Sequence, residues 1–146
     1  VVIGAGEPHA KCVTYSGDVK IFVINVEKGF FSSIGCPEYE DIFIGTARGL
    51  DMIRSDTLLI ISDVNNMKIV ESPEIAENVF NTVIIDHHRK TAEFDEVPLI
   101  SYIEPSASSA SELVSEILEQ IRQPGTLLKE EAEALLASKY GPAGER

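Results

Sequence analysis

The sequence predicts an α/β fold built on a parallel, doubly wound sheet, and three observations carry that expectation. Two apolar runs, Thr57-Leu-Leu-Ile-Ile-Ser-Asp63 and Asn81-Thr-Val-Ile-Ile-Asp86, are continuous and each ends in an acid. Hydrophobicity that does not alternate belongs to strands buried on both faces, which a parallel sheet covered by helices provides. Between the two runs Ser72-Pro73-Glu74 opens a helix, so strand, helix and strand form a βαβ unit that should be right-handed. A further strand, Leu99 to Glu104, is followed by a helix whose Leu113, Val114, Ile117, Leu118 and Ile121 keep the helical period.

Each element has its own local reason. The opening Val1-Val-Ile-Gly4-Ala-Gly6-Glu-Pro-His9 shares two glycines with a dinucleotide-binding fingerprint. His9 stands at the third glycine position, however, and Pro8 interrupts the helix start. A chain that opens on three apolar residues is expected instead to begin inside a folded unit. His9 and Cys12, at i and i+3, are compatible with a shared ligand, but two residues do not make a metal site. Lys20-Ile-Phe-Val-Ile-Asn25 predicts a buried strand, and residues 29 to 41 a loop around Gly29, Gly35 and Pro37. Thr46 is placed to cap a short helix with Ala47, Leu50 and Ile53 inward. In the central unit Ser72 is the cap, Pro73 takes the first helical position and Glu74 sits at the positive end of the helix dipole. Ile75 and Val79 supply the inner face, with Phe80 a further candidate.

Pro98 and Pro105 bracket the last strand. Ser106-Ala-Ser-Ser-Ala-Ser-Glu112 then crowds hydroxyls at a helix start. Ser109 and Glu112 have the spacing of a capping box. The hydroxyls beyond that need make Ser108 and Ser109 candidates to face an anion. Gln123-Pro124-Gly125 ends this helix, Leu127 to Ala137 predicts another, and Lys139 to Arg146 has no core pattern.

With 146 residues, 44% hydrophobic, the chain has the size of one domain. Its net charge of −12 argues against a duplex nucleic-acid groove, which needs clustered Lys and Arg. A phosphate-ester substrate would require divalent metal to supply positive charge. Cys12 and Cys36 have no CxxC spacing, so a reducing cytoplasm fits best. No apolar run approaches the roughly 20 residues that span a bilayer, so no membrane contact is expected of this segment.

The chemistry concentrates in Asp86-His87-His88-Arg89. Two of the three histidines fall beside an acid where a strand ends, which is where an open α/β sheet places its chemistry. A surface turn that carries histidines is the plainer alternative. Asp63 should emerge at the same sheet edge as Asp86, although an Asp ahead of Val64-Asn65-Asn66 also suits a turn. Adjacent histidines on extended backbone diverge, so one can bind metal while the other meets substrate. Asp63 and His87 would then be metal ligands, with Asp86 orienting an imidazole. His88 would be left to contact a phosphate or protonate a leaving oxygen. Oxygen and nitrogen donors without thiolate favour Mn, Mg or Fe.

Asp86-His87-His88, preceded by Val83-Ile-Ile and followed by Arg89-Lys90-Thr-Ala-Glu-Phe94, resembles the DHH phosphoesterase superfamily. With Thr57 to Asp63 and Tyr102-Ile-Glu-Pro-Ser-Ala-Ser-Ser-Ala-Ser-Glu-Leu-Val114, the chain is similar over residues 10 to 137 to the phosphodiesterases that hydrolyse cyclic di-AMP to pApA. The resemblance implies a three-layer DHH domain and a two-metal Mn2+ site. By position it implies metal binding by Asp63 and His87, and a phosphate contact by His88. It implies a cytoplasmic domain whose parent is membrane-anchored through other segments. The oligomeric state stays open, with a homodimeric parent one expectation.

The departures set further expectations. Val64-Asn65-Asn66 stands where Thr-His-Arg is commoner. The upstream G-H-x-x-P-D-x-D stretch is not Gly4 to His9; Ile3 to Gly17 resembles the helix that follows it. The family's late G-x-x-x-D-T aspartate does not follow Ala137. Residues 1–146 are therefore expected to be a partial DHH domain, truncated at both ends, that lacks the second substrate-binding domain and alone binds Mn2+ weakly and turns over little. A nano-RNase or pAp phosphatase, or a non-catalytic nucleotide-binding module, remain alternatives.

Overall fold

The computed structural model describes residues 2–4, 23–24, 43–90 and 97–121, with residues 123, 125, 129, 132 and 135. In chain order the elements are β1 (Val2–Gly4), β2 (Val23–Ile24), β3 (Phe43–Ile44), α1 (Thr46–Asp51), β4 (Leu58–Ser62), α2 (Pro73–Asn78), β5 (Asn81–Asp86), β6 (Ile100–Ile103) and α3 (Ala110–Ile121). The described strands form one six-stranded sheet in the order β3-β2-β1-β4-β5-β6. Every neighbouring pair is parallel, as expected. The order reverses direction between β1 and β4, the point at which doubly wound sheets open a crevice beyond the strand ends.

That topology fixes where the acids stand. Gly4 ends β1 level with Ser62, and Ser62 in turn is level with Ile85. Asp63 follows Ser62 directly, so it rises from the crevice itself, with Asp86 ending the adjacent strand. The ladder runs one bond further, because the Asp63 N–H donates to the Ile85 carbonyl at 2.8 Å. The βαβ unit is therefore present as read with both acids at one sheet edge, and the structure makes their strands direct neighbours.

The core lies under β4 and β5. Leu59, Ile61, Ile75 and Ile84 are almost completely buried and pack with Ile44, Val64, Val70 and Val79. Leu59 and Ile61 share one face of β4, while the intervening Ile60 is only half-buried.

Several expectations need correction. Ile3 and Gly4 belong to a strand rather than the start of a helix. Val2 and Ile3 are β-branched, and β1 pairs with β2 on one side and β4 on the other. Residues 5–17, including His9 and Cys12, lie outside the described residues, as does the loop read at 29–41. Val23 and Ile24 form β2 within the predicted run 20–25, whereas the two-residue β3 had no legible signal.

Thr46 is the first residue of α1, and Gly45 is its cap. The Thr46 hydroxyl is engaged elsewhere, 2.6 Å from Ser72 Oγ. Ser72 is the N-cap of α2 as expected, but for the same reason it makes no side-chain cap bond. Ala47 and Leu50 are exposed while Gly49 is buried, so α1 faces inward along its glycine; Ile53, beyond the helix, does pack on the core. Phe80 is 78% exposed. Val79 already has extended backbone, and in extended chain successive side chains alternate, so Val79 turns in and Phe80 out.

In α3, Leu113 is buried and Val114, Ile117 and Leu118 are half-buried, but Ile121 is exposed. Lys129, Ala132 and Leu135 are helical, inside the helix predicted over 127–137. No helix among the described residues is long and apolar enough to cross a membrane.

Ile61→Ala is expected to lower unfolding stability by about 2–5 kcal/mol. Phe80→Ser should change it by less than about 0.5 kcal/mol. Urea denaturation of the two variants checks this contrast.

Candidate functional site

The site begins with a buried acid. Asp86 is 0% exposed at the carboxyl end of β5, and a carboxylate removed from water has to be surrounded by donors. Its Oδ1 accepts from the backbone N–H of His87 at 2.8 Å and of His88 at 3.2 Å. The same oxygen accepts from His88 Nδ1 at 2.8 Å. Oδ2 accepts from Asn65 Nδ2 at 2.6 Å. An aspartate bonded to the two N–H groups that follow it makes a local turn. The chain therefore stops being extended at Asp86.

This turn alters the sequence expectation for the histidines. On extended backbone they would diverge, but their ring centroids are 4.4 Å apart with planes tilted by 50°. His87 Nε2 lies 3.5 Å from Asp63 Oδ1, and His87 Nδ1 is 3.3 Å from the Ala107 carbonyl. A carbonyl only accepts, so Nδ1 is the donor in that contact, and Nε2 is the nitrogen that faces Asp63. Asp63 reaches this position with a positive φ of 69°, a conformation that Asp adopts more readily than most residues.

Asp63, His87 and His88 each offer a ligand atom within 4.8 Å of the others. One carboxylate oxygen and imidazole nitrogens, with one histidine oriented through its far nitrogen, are a donor set that suits a divalent cation. The structure thus brings together all four residues read from Asp63 and the Asp86–His88 run. Arg89 and Lys90 follow as exposed residues.

The serine turn is joined to the site through Ala107. Its hydroxyls are occupied locally. Ser106 donates from both N–H and Oγ to Glu104 Oε1, at 3.0 and 2.7 Å. Ser109 Oγ accepts from the Glu112 N–H at 3.3 Å, the forward half of the expected capping box. The return half is displaced by one residue: Glu112 Oε2 accepts from the N–H and Oγ of Ser108, at 2.7 and 2.6 Å. Ser109 Oγ also lies 2.9 Å from Ser111 Oγ. An anion facing Ser108 would have to take its hydroxyl from Glu112.

Sequence reasoning missed Asn65 and the Ala107 carbonyl as parts of the site. Asn65 read as a turn residue, and only the acid before it gave any signal. A backbone carbonyl carries no signal in a sequence.

The two hydrogen bonds from Ser106 hold the Glu104 carboxyl below the usual glutamate range, while the hydrogen bond to Glu116, backed by partial burial and nearby carboxylates, pushes the Tyr102 hydroxyl up. For a lowered carboxyl the stabilising contribution is present above the unfolded-state value and lost as pH falls through the folded one. Ser106→Ala should therefore raise the Glu104 midpoint in an NMR titration. Its stability deficit against the native chain should be present at neutral pH and vanish in acid.

Comparison with known proteins places these observations. Residues 9–138 match the family model described as the DHH family, N-terminal domain. Over 90 residues the chain is 43% identical to the cyclic-di-AMP phosphodiesterase GdpP of Geobacillus thermodenitrificans, covering 62% of this chain and 14% of that protein. Over 103 residues it is 38% identical to GdpP of Bacillus subtilis, covering 68% and 16%. Among solved structures, an exopolyphosphatase-related protein from Bacteroides fragilis superposes with a TM-score of 0.51 at 26% identity, over 68% of this chain and 27% of that one. The chain thus spans well under half the length of these relatives.

Proposed function

The chain belongs to the DHH family, and from that premise we propose that it is part of a Mn2+-dependent phosphodiesterase that hydrolyses cyclic di-AMP to pApA. The observation that carries this reading is the Asp63–His87 pair, with Nε2 3.5 Å from the carboxylate, set beside the buried Asp86–His88 hydrogen bond. The likeness to two cyclic-di-AMP phosphodiesterases at 38–43% identity supports the cyclic substrate.

In this proposal Asp63 and His87 would hold divalent metal. When bound, it supplies positive charge to the phosphate oxygens and makes water a stronger nucleophile at neutral pH. That charge matters in a chain of net charge −12.

The chain's own residues complete the site. The carbonyl of Ala107 fixes the His87 ring and its protonated nitrogen. Asp86 does the same for His88, whose Nδ1 is engaged and whose Nε2 is left to exchange a proton. In hydrolysis, water oxygen bonds to phosphorus and releases a proton to solvent, the bond from phosphorus to the 3′-oxygen breaks, and that oxygen takes up a proton from an acid that solvent then reprotonates. His88 is assigned to contact the scissile phosphate and supply this proton. Arg89 offers a guanidinium to a phosphate oxygen. Ser108 and Ser109 offer donors at the start of α3, with Ser108 exchanging Glu112 for the substrate.

The test uses the full-length parent protein with Mn2+, assayed by chromatography for pApA formed from cyclic di-AMP and for products from a linear dinucleotide. The expected result is preferential cleavage of the cyclic substrate and a loss in kcat of about 10²–10⁴-fold for His88→Ala. Cleavage of the linear substrate alone would replace this reading with that of a nano-RNase. Nucleotide binding indifferent to Mn2+ and to His87→Ala, measured by calorimetry, would make the domain a non-catalytic module.

A further inference from the structure

We propose that Asn65 is a positioning residue for the Asp86–His88 pair: a single side-chain amide, 4% exposed, that locks the acid and the backbone of the histidine it orients into one geometry. This rests on the phosphodiesterase reading above.

Asn65 Nδ2 donates one proton to Asp86 Oδ2 at 2.6 Å and its other proton to the His88 carbonyl at 3.0 Å. Both partners are acceptors, so only the amide nitrogen can face them, and the side-chain orientation follows from the chemistry. Asp86 Oδ1 is already shared by three donors, two of them backbone N–H groups. Asn65 is the donor to Oδ2 among the described residues. It therefore fixes the rotation of the carboxylate about its own axis. Rotation would carry Oδ1 away from His88 Nδ1 and from the two backbone N–H groups, so the Asn65 bond acts together with theirs to hold it.

The second bond acts on the other end of the same unit. Fixing the His88 carbonyl restrains the peptide that leaves the turn toward Arg89. The acid, the imidazole and the exit of the chain are thereby tied to the loop after β4, which also carries Asp63. Asn65 couples the position of the histidine on β5's exit to the carboxylate on β4's exit. An alanine there could admit water, but water does not impose a direction on both acceptors at once. A histidine in that position keeps a ring N–H that can reach a carboxylate.

The test compares Asn65→Ala, Asn65→Ser and Asn65→His in the full-length parent, with folding followed by circular dichroism. Misplacing a proton-transfer group by about 1 Å costs on the order of 100-fold, so Asn65→Ala is expected to lose about that much in kcat for cyclic di-AMP, with KM changing less than about threefold. Asn65→Ser, which keeps one donor, should fall between, and Asn65→His should recover most of the rate.

A second readout does not depend on turnover. The 15N shifts of the His88 ring at fixed pH report which nitrogen carries the proton. They should move toward a mixture of tautomers in Asn65→Ala and return in Asn65→His. Native ring shifts and native kcat in a folded Asn65→Ala would overturn the proposal. If Asn65→Ala does not fold, the same criteria apply to Asn65→Ser. If the unsubstituted parent fails to cleave cyclic di-AMP, the phosphodiesterase reading falls, and the ring shifts still decide the role of Asn65.

Discussion

A carboxylate with no access to water has to be met by donors on every side, and the arrangement around Asp86 follows from that requirement. Its local donors are the two N–H groups that come next in the chain, which bends the backbone as soon as β5 ends. Its remaining donors come from an imidazole and from an amide on a neighbouring loop. The first pair makes the turn that brings two adjacent histidine rings together. The second pair joins that turn to the end of β4. Burial of one acid thus shapes both the local conformation and the contact between strands.

The sheet supplies what the acid cannot. Because β1 and β4 sit at the point where the winding reverses, connections to either side diverge and leave the ends of these strands accessible. Asp63 occupies that opening. Its positive φ turns the carboxylate toward His87 rather than along the strand. The strained backbone and the topological gap act together: one makes space, and the other aims a charge across it.

The serine turn has a different role from the one its composition suggests. Hydroxyl-rich helix starts are suited to anions, yet here the hydroxyls of Ser106 and Ser108 are spent on Glu104 and Glu112. These bonds order the turn without substrate. The ordered turn then presents the Ala107 carbonyl to His87 Nδ1. Its most direct structural contribution to the candidate site is made by backbone.

The sequence alone determined the parallel α/β fold, the βαβ unit, the placement of Asp63 and Asp86 at one edge of the sheet, and the family to which the chain belongs. These are legible because unbroken β-branched runs, a Ser-Pro-Glu helix start and an acid followed by two histidines are local patterns with local causes. Only the tertiary structure decided that Phe80 faces out, that Thr46 and Ser72 bond to each other, that the histidine rings converge, and that Asn65 and Ala107 complete the surroundings of Asp86 and His87. Each of those depends on atoms that meet across many residues of chain, and side-chain burial and hydrogen-bond pairing at such a distance follow from packing rather than from periodicity.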